Sequence, residues 1–286
     1  MPNLQKPTKK QHYVPQVYLK GFSQDEKMIY RYDLANESQK LVPISSVCYK
    51  KDLYEFKDEK GKKIASNYIE KILCEFEAEF STHRNELKKF VEENFEKNTI
   101  CALNPNINAF WVSYIAVQIL RRPWLLDIVQ KNSEQHFSND STFSDEMIRT
   151  FSILFCFPFI KSIMMNEHSL YNILVQTLKK LSLVIGVDKK DRIYTSDSPV
   201  YCFGSSLTDI EKVIFPLTSN KAIYLLSKDY INTFGKILVF EMTDYEIDEI
   251  NLSALYNAHS SIFSKYPFIE TELKQKNLNK IELMII

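Results

Sequence analysis

Four short stretches of this sequence hold side chains that could do chemistry. The first is Gln11-His12-Tyr13-Val14-Pro15, with Tyr18-Leu19-Lys20-Gly21-Phe22 behind it. His12 suits general acid–base work, because an unperturbed imidazole titrates near neutrality. Its plainer role would be to anchor the N-terminal segment by hydrogen bonds. The second is Ser196-Asp197-Ser198-Pro199, at the end of an expected strand. Asp197 would project from a turn stiffened by Pro199, where functional carboxylates are often carried, or close an Asx-turn onto its own backbone. The third is Gln118-Ile119-Leu120-Arg121-Arg122-Pro123. Gln118 and Arg121 are three apart and share a helix face. They end a nearly all-apolar helix, where a charge must find a partner. Arg121 could grip a phosphate bidentately, or hold a carboxylate such as Asp197. The fourth is Glu70 with Glu77, seven apart on one helix face, with Glu75 and Glu79 nearby. Paired carboxylates can hold Mg²⁺ or share acid and base roles. Charges on an amphipathic helix also serve simply as its solvated face.

Composition removes several classes. The 286 residues include only 5 glycines, where average usage of roughly 7% would give about 20. They are too far apart for G-x-G-x-x-G or G-x-x-x-x-G-K-[ST], which need glycine for close approach of backbone to phosphate. The nucleophile elbow G-x-S-x-G is absent as well. The 5 cysteines lack a C-x-x-C, and the 5 histidines lack an H-E-x-x-H. Free thiols in a reducing compartment are therefore expected. Lys plus Arg and Asp plus Glu both total 36, so a strong electrostatic footprint for nucleic acid is not expected. The polar N-terminus has no apolar leader behind it, and the apolar window Phe151–Ile160 is too short to span a bilayer. A cytoplasmic protein without a membrane partner is the expectation.

The elements that must position these residues run in blocks. Residues 13–56 read as short strands (Met28–Asp33, Lys40–Val47 and Asp52–Phe56). The region 66–180 reads as helices: one from Ser66, one over Ile107–Leu120 that Pro123 stops or kinks, one over Asp145–Met165 and one over Ser169–Lys180. Residues 181–286 read as strands closed by a helix running from Asp244 to just before Pro267. Leu181–Val187 and Arg192–Thr195 suggest a hairpin around a polar turn. Segregated blocks argue for an α+β fold: a central α-helical layer on a mainly antiparallel sheet built from N-terminal and C-terminal strands. No linker composition divides the chain, so one domain over 1–286 is expected.

Taken together, the segments resemble the domain-of-unknown-function 4238 family, widespread in bacteria. The resemblance rests on His12-Tyr13-Val14-Pro15, Tyr18-Leu19 and Phe22, followed by Ile69-Glu70 and Glu77. Gln118, Arg121 and Pro123 come next, then Ser196-Asp197-Ser198-Pro199 and Phe215-Pro216-Leu217, and last Asn251, with Asn257 competing for that place. The family brings no activity with it. It does imply that widely spaced polar motifs serve a shared site.

Two readings follow. In the first, His12, Glu70, Gln118, Arg121 and Asp197 converge in one cleft of an enzyme. Asp197 and Glu70 would bind a divalent metal such as Mg²⁺ or move protons, His12 would be the acid or base, and Arg121 would neutralise an anion. A nucleotide or nucleic-acid phosphodiester would be the substrate, in a nuclease-like effector of the toxin or phage-defence kind. In the second, the same residues form a hydrogen-bond and ion-pair network in a non-catalytic module, and the aromatic load (19 Phe, 16 Tyr, 2 Trp) packs the core and meets a protein partner.

Overall fold

The structure is a computed structural model that describes residues 10–95, 101–102, 105–137, 143–157, 169–227, 236–269 and 273. Along the chain lie β1 (Lys10–His12), α1 (Gln16–Leu19), β2 (Met28–Asp33), β3 (Ser38–Pro43), β4 (Tyr49–Lys51) and the long helix α2 (Tyr68–Asn94). Next come β5 (Cys101–Ala102), α3 (Pro105–Leu120), α4 (Pro123–Phe137), α5 (Asp145–Cys156) and α6 (Leu170–Leu178). The last block is β6 (Ser182–Val187), β7 (Thr195–Ser196), β8 (Tyr201–Ser206), β9 (Asp209–Thr218), β10 (Lys221–Leu226), β11 (Lys236–Glu241), α7 (Asp244–Asn257) and β12 (Ser261–Ser264).

The class is α+β, as expected, and the strands form three sheets. A six-stranded sheet runs β5-β11-β6-β10-β9-β8, antiparallel except where β11 lies parallel to β6. A four-stranded sheet runs β3-β2-β12-β7, so N-terminal and C-terminal strands do pair there, while the larger sheet is C-terminal apart from β5. β1 and β4 form a separate pair. Among the described residues no helix is long and apolar enough to cross a membrane.

Helix α2 follows the 3.6-residue period: Ile69, Leu73, Phe80, Leu87 and Val91 are buried on one face. Helix α3 is covered almost all round, with Trp111, Tyr114, Ile115, Ala116, Val117 and Leu120 fully buried. It ends at Leu120, and Pro123 opens α4, a position where the missing N–H of proline costs nothing. Ser144 and Ser169 cap α5 and α6 through their hydroxyls. The part of the third expected helix beyond Phe157 lies outside the described residues.

Three expectations are corrected. Asp52–Phe56 is not a strand: Asp52 takes a left-handed turn (φ 54) and the segment is tied to Gln11 instead. The hairpin after Leu181 does not form. Asp188 captures the backbone N–H of Arg192 (2.8 Å) and its guanidinium (2.9 Å), so the chain turns out of the large sheet and enters the smaller one as β7. The last helix stops at Asn257, and the Ser-Ile-Phe-Ser stretch 261–264 becomes β12, with both flanks paired, against β2 and β7. Its four residues are all buried, so it lacks the polar–apolar alternation that marks a strand in sequence.

Candidate functional site

The N-terminal motif is locked in place from both ends. Gln11, fully buried, donates to Glu55 Oε1 (2.7 Å) and accepts from the N–H of Tyr54 (2.7 Å). Behind it, Tyr18 stacks on Phe215 and donates to the carbonyl of Pro216 (2.7 Å). Gly21 presses on β9 so closely that a Cβ there would sit 3.0 Å from the Leu217 carbonyl oxygen. His12 thus lies between fixed points, its ring tilted against Tyr49 and its carbonyl accepting from Arg121 Nη2 (2.6 Å).

Arg121 is the centre of a polar cluster between α2 and α3. Its guanidinium, fully buried, pairs with Glu77 at 2.8 Å, and Tyr54 donates to its carbonyl (2.8 Å). Along α3, Tyr114, Gln118 and Arg121 are spaced to share one face; along α2, Glu70, Cys74 and Glu77 are spaced likewise. Several buried atoms in this region have no hydrogen-bond partner among the described residues: Glu70 Oε2, both amide atoms of Gln118, Nε and Nη1 of Arg121, the Tyr114 hydroxyl and His12 Nε2. Orphaned polar atoms in such number call for water or a ligand, since buried polar groups in native proteins are nearly always bonded. Glu77, a quarter exposed, and the exposed Cys74 lie where the cluster meets solvent.

The charges follow from burial. Burial pushes the Glu70 carboxyl up to about 7; Arg121 opposes the rise, and Glu77 and Glu55 add to it. Burial also lowers His12, against a hydrogen bond to the Ser45 backbone and the charge of Glu77, so its imidazole is neutral at pH 7. Burial is the largest single influence on Arg121 and works against its charge, but Glu77, Tyr54 and Tyr114 together outweigh it, and the guanidinium stays charged.

Asp197 stands elsewhere. Its carboxylate accepts from the N–H of His259 (2.8 Å), the N–H of Ser260 (2.8 Å) and the hydroxyl of Ser260 (2.7 Å). It therefore closes no Asx-turn on its own segment and is not the partner of Arg121. No hydrogen bond or ion pair joins it to His12, Glu70, Gln118 or Arg121 among the described residues. The five candidates do not form one hydrogen-bonded network among the described residues: the His12 carbonyl bonds Arg121, Glu70 interacts with it through charge and Gln118 is spaced to share its helix face, while Asp197 ties the end of α7 to β12. Burial raises the Asp197 carboxyl, against the three donors. It lines a cavity of about 270 Å³ with Tyr13, Arg31 and Cys48. No three His, Cys, Asp or Glu side chains gather as a metal site among the described residues.

The sequence reading missed Tyr54 and Tyr114, and it had Glu77 as a family match without its partner. Tyr114 could have been found from its spacing to Gln118 and Arg121, but a tyrosine in an apolar run counts as core. Asn251, buried on α7, accepts from the Tyr194 N–H (2.8 Å) and donates to the Arg192 carbonyl (3.0 Å). It holds the strand-free approach to β7 and bonds neither Arg121 nor Asp197.

A family model for proteins of unknown function, DUF4238, matches residues 10–267. The chain belongs to the DUF4238 family. The match spans the Arg121 cluster and Asp197, from β1 to just past β12. No curated protein and no solved structure matches the chain.

Proposed function

We propose that this DUF4238 protein is a hydrolase acting on a phosphate-bearing substrate, a nucleotide or a nucleic-acid phosphodiester, at the polar cluster around Arg121. The observation that supports this is the array of unpartnered buried atoms there. Nε and Nη1 of Arg121 each offer an anion one charged donor, on separate edges of the guanidinium, since Nη2 is taken by Glu77 and the His12 carbonyl. The Glu70 carboxyl, titrating near 7, can lend or take a proton at working pH. The neutral His12 ring is a second proton acceptor, and the Gln118 amide orients what enters. Asp197 has no part in this chemistry. A divalent ion would arrive with the substrate phosphates, beside Glu70 and Glu77.

The test is incubation of the purified protein with nucleoside triphosphates, RNA and DNA oligonucleotides, with Mg²⁺ and with chelator. Products are read by ion-exchange chromatography and mass spectrometry. Cleavage that disappears in Glu70→Gln and Arg121→Lys, both still folded, supports the reading. No cleavage of any of them removes it. Growth of an expressing bacterial host alongside the same variants tests the effector role.

One observation favours the non-catalytic alternative. Arg121 links α3, α2 and β1 through Glu77 and the His12 carbonyl, as a structural clasp would. In that case Glu70→Gln leaves growth, products and partner capture unchanged, and only Arg121 variants lose stability.

A further inference from the structure

The Asp197 cavity supports an inference separate from the Arg121 cluster. About 270 Å³ in volume, it lies among the N-terminal segment, β2, β4 and the start of β12. Asp197, 1% exposed, lines it. All three of its hydrogen bonds are accepted ones, divided as one on Oδ1 and two on Oδ2, the pattern of an ionised carboxylate. No Lys, Arg or His among the described residues forms a contact ion pair with it; His259 and Arg122 act on its charge only from a distance.

The carboxylate has about four lone-pair positions. One remains, on Oδ1, which admits a single further N–H donor. The two-pronged grip of a guanidinium or amidine needs a position on each oxygen and is excluded. Arg31 also lines the cavity. It donates through Nε to Ser261 Oγ (2.8 Å) and through Nη2 to Asp33 (2.7 Å), which leaves Nη1 without an acceptor among the described residues. A relay joins the two charged groups: Arg31 to Ser261 at 2.8 Å, Ser261 to Ser260 at 3.4 Å, and Ser260 to Asp197 at 2.7 Å. Anionic and cationic groups thus stand within the span of one small molecule, on the wall of one cavity.

We propose that this cavity binds a small zwitterion of the amino-acid class, its ammonium on Asp197 Oδ1 and its carboxylate on Arg31 Nη1. The ammonium would give Asp197 a cation in direct contact, and the nearby Tyr13 and Tyr49 rings tolerate a cation. The carboxylate takes Arg31 Nη1, the guanidinium donor that the Asp33 ion pair leaves over. A cation alone would make no use of Arg31 Nη1, and an anion alone would face the Asp197 charge.

The test is calorimetric titration of the full chain with L-alanine, β-alanine and 4-aminobutanoate. Their N-acetyl forms, ethylamine and acetate are titrated in parallel. At least one of the three zwitterions is expected to bind, with affinity reduced about tenfold or more by N-acetylation and lost in the half-molecules. Arg31→Gln, at the more exposed end, is expected to weaken binding without unfolding the protein. Asp197→Asn should abolish it if the variant folds, and the N-acetyl comparison on the wild type stands if it does not. The proposal is overturned if none of the zwitterions binds at about 10 mM, if the N-acetyl forms bind equally well, or if folded Arg31→Gln binds like the wild type.

Discussion

Replacing Glu70 with Gln should make this protein more stable at alkaline pH while leaving it unchanged in mild acid. Gln keeps the shape of the side chain and mimics its neutral form. Folding raises the Glu70 carboxyl from its usual 4.5 to about 7, burial being the largest cause. An acid raised in this way binds more protons folded than unfolded between those two values. Stability from the neutral form is therefore fully present below pH 4.5 and is lost as pH rises through 7. A rise of this size corresponds to about 3 kcal/mol. Glu70 is only partly buried, and solvent screening brings the expected cost to about 1.5 kcal/mol. Glu70→Gln escapes that cost. It should gain about 1.5 kcal/mol over the wild type at pH 8, seen as about 3 °C in Tm, with the difference closing toward pH 4.5. Urea unfolding of both proteins across this range measures it. A difference that does not change with pH, or a variant weaker at pH 8, would refute the account of Glu70 as a strained, proton-exchanging group.

Three further outcomes follow from the same contacts. Glu77→Ala leaves the Arg121 guanidinium buried without its ion-pair partner, for a loss of about 2–4 kcal/mol by urea unfolding. Adding Arg121→Met should recover part of that loss, and no recovery would show that the pair is not what matters. Asp197→Ala strands the N–H groups of His259 and Ser260, at about 3 kcal/mol. Amide exchange at these two residues should accelerate more than within β12, and uniform acceleration would count against the tie between α7 and β12. Gln11→Ala removes partners from Glu55 and the Tyr54 N–H, for about 2 kcal/mol; a shift in Tm under about 1 °C would deny its locking role.

Much of the scaffold was legible in the chain alone, because periodicity is a local property. The apolar rows of α2, the buried run of α3 and the strands β2, β9, β10 and β11 follow from side-chain spacing and flanking turn residues. The residue types that gather around Arg121 could be named as well, since a buried arginine beside a glutamine at the end of an apolar helix has to be answered by something. Which group answers it was not legible. Arg121 chose Glu77 over Asp197 because two helices packed side by side bring α2 within reach, and packing depends on the whole fold. The same holds for β12: four buried residues carry no alternation to betray them, and only pairing with β2 and β7 makes them a strand. That pairing ties Asp197 to the end of α7 instead of to Arg121, beside a cavity of its own. Local sequence chose the chemical groups and the elements that carry them; long-range packing decided which groups meet, because contacts between residues far apart in the chain leave no trace in its spacing.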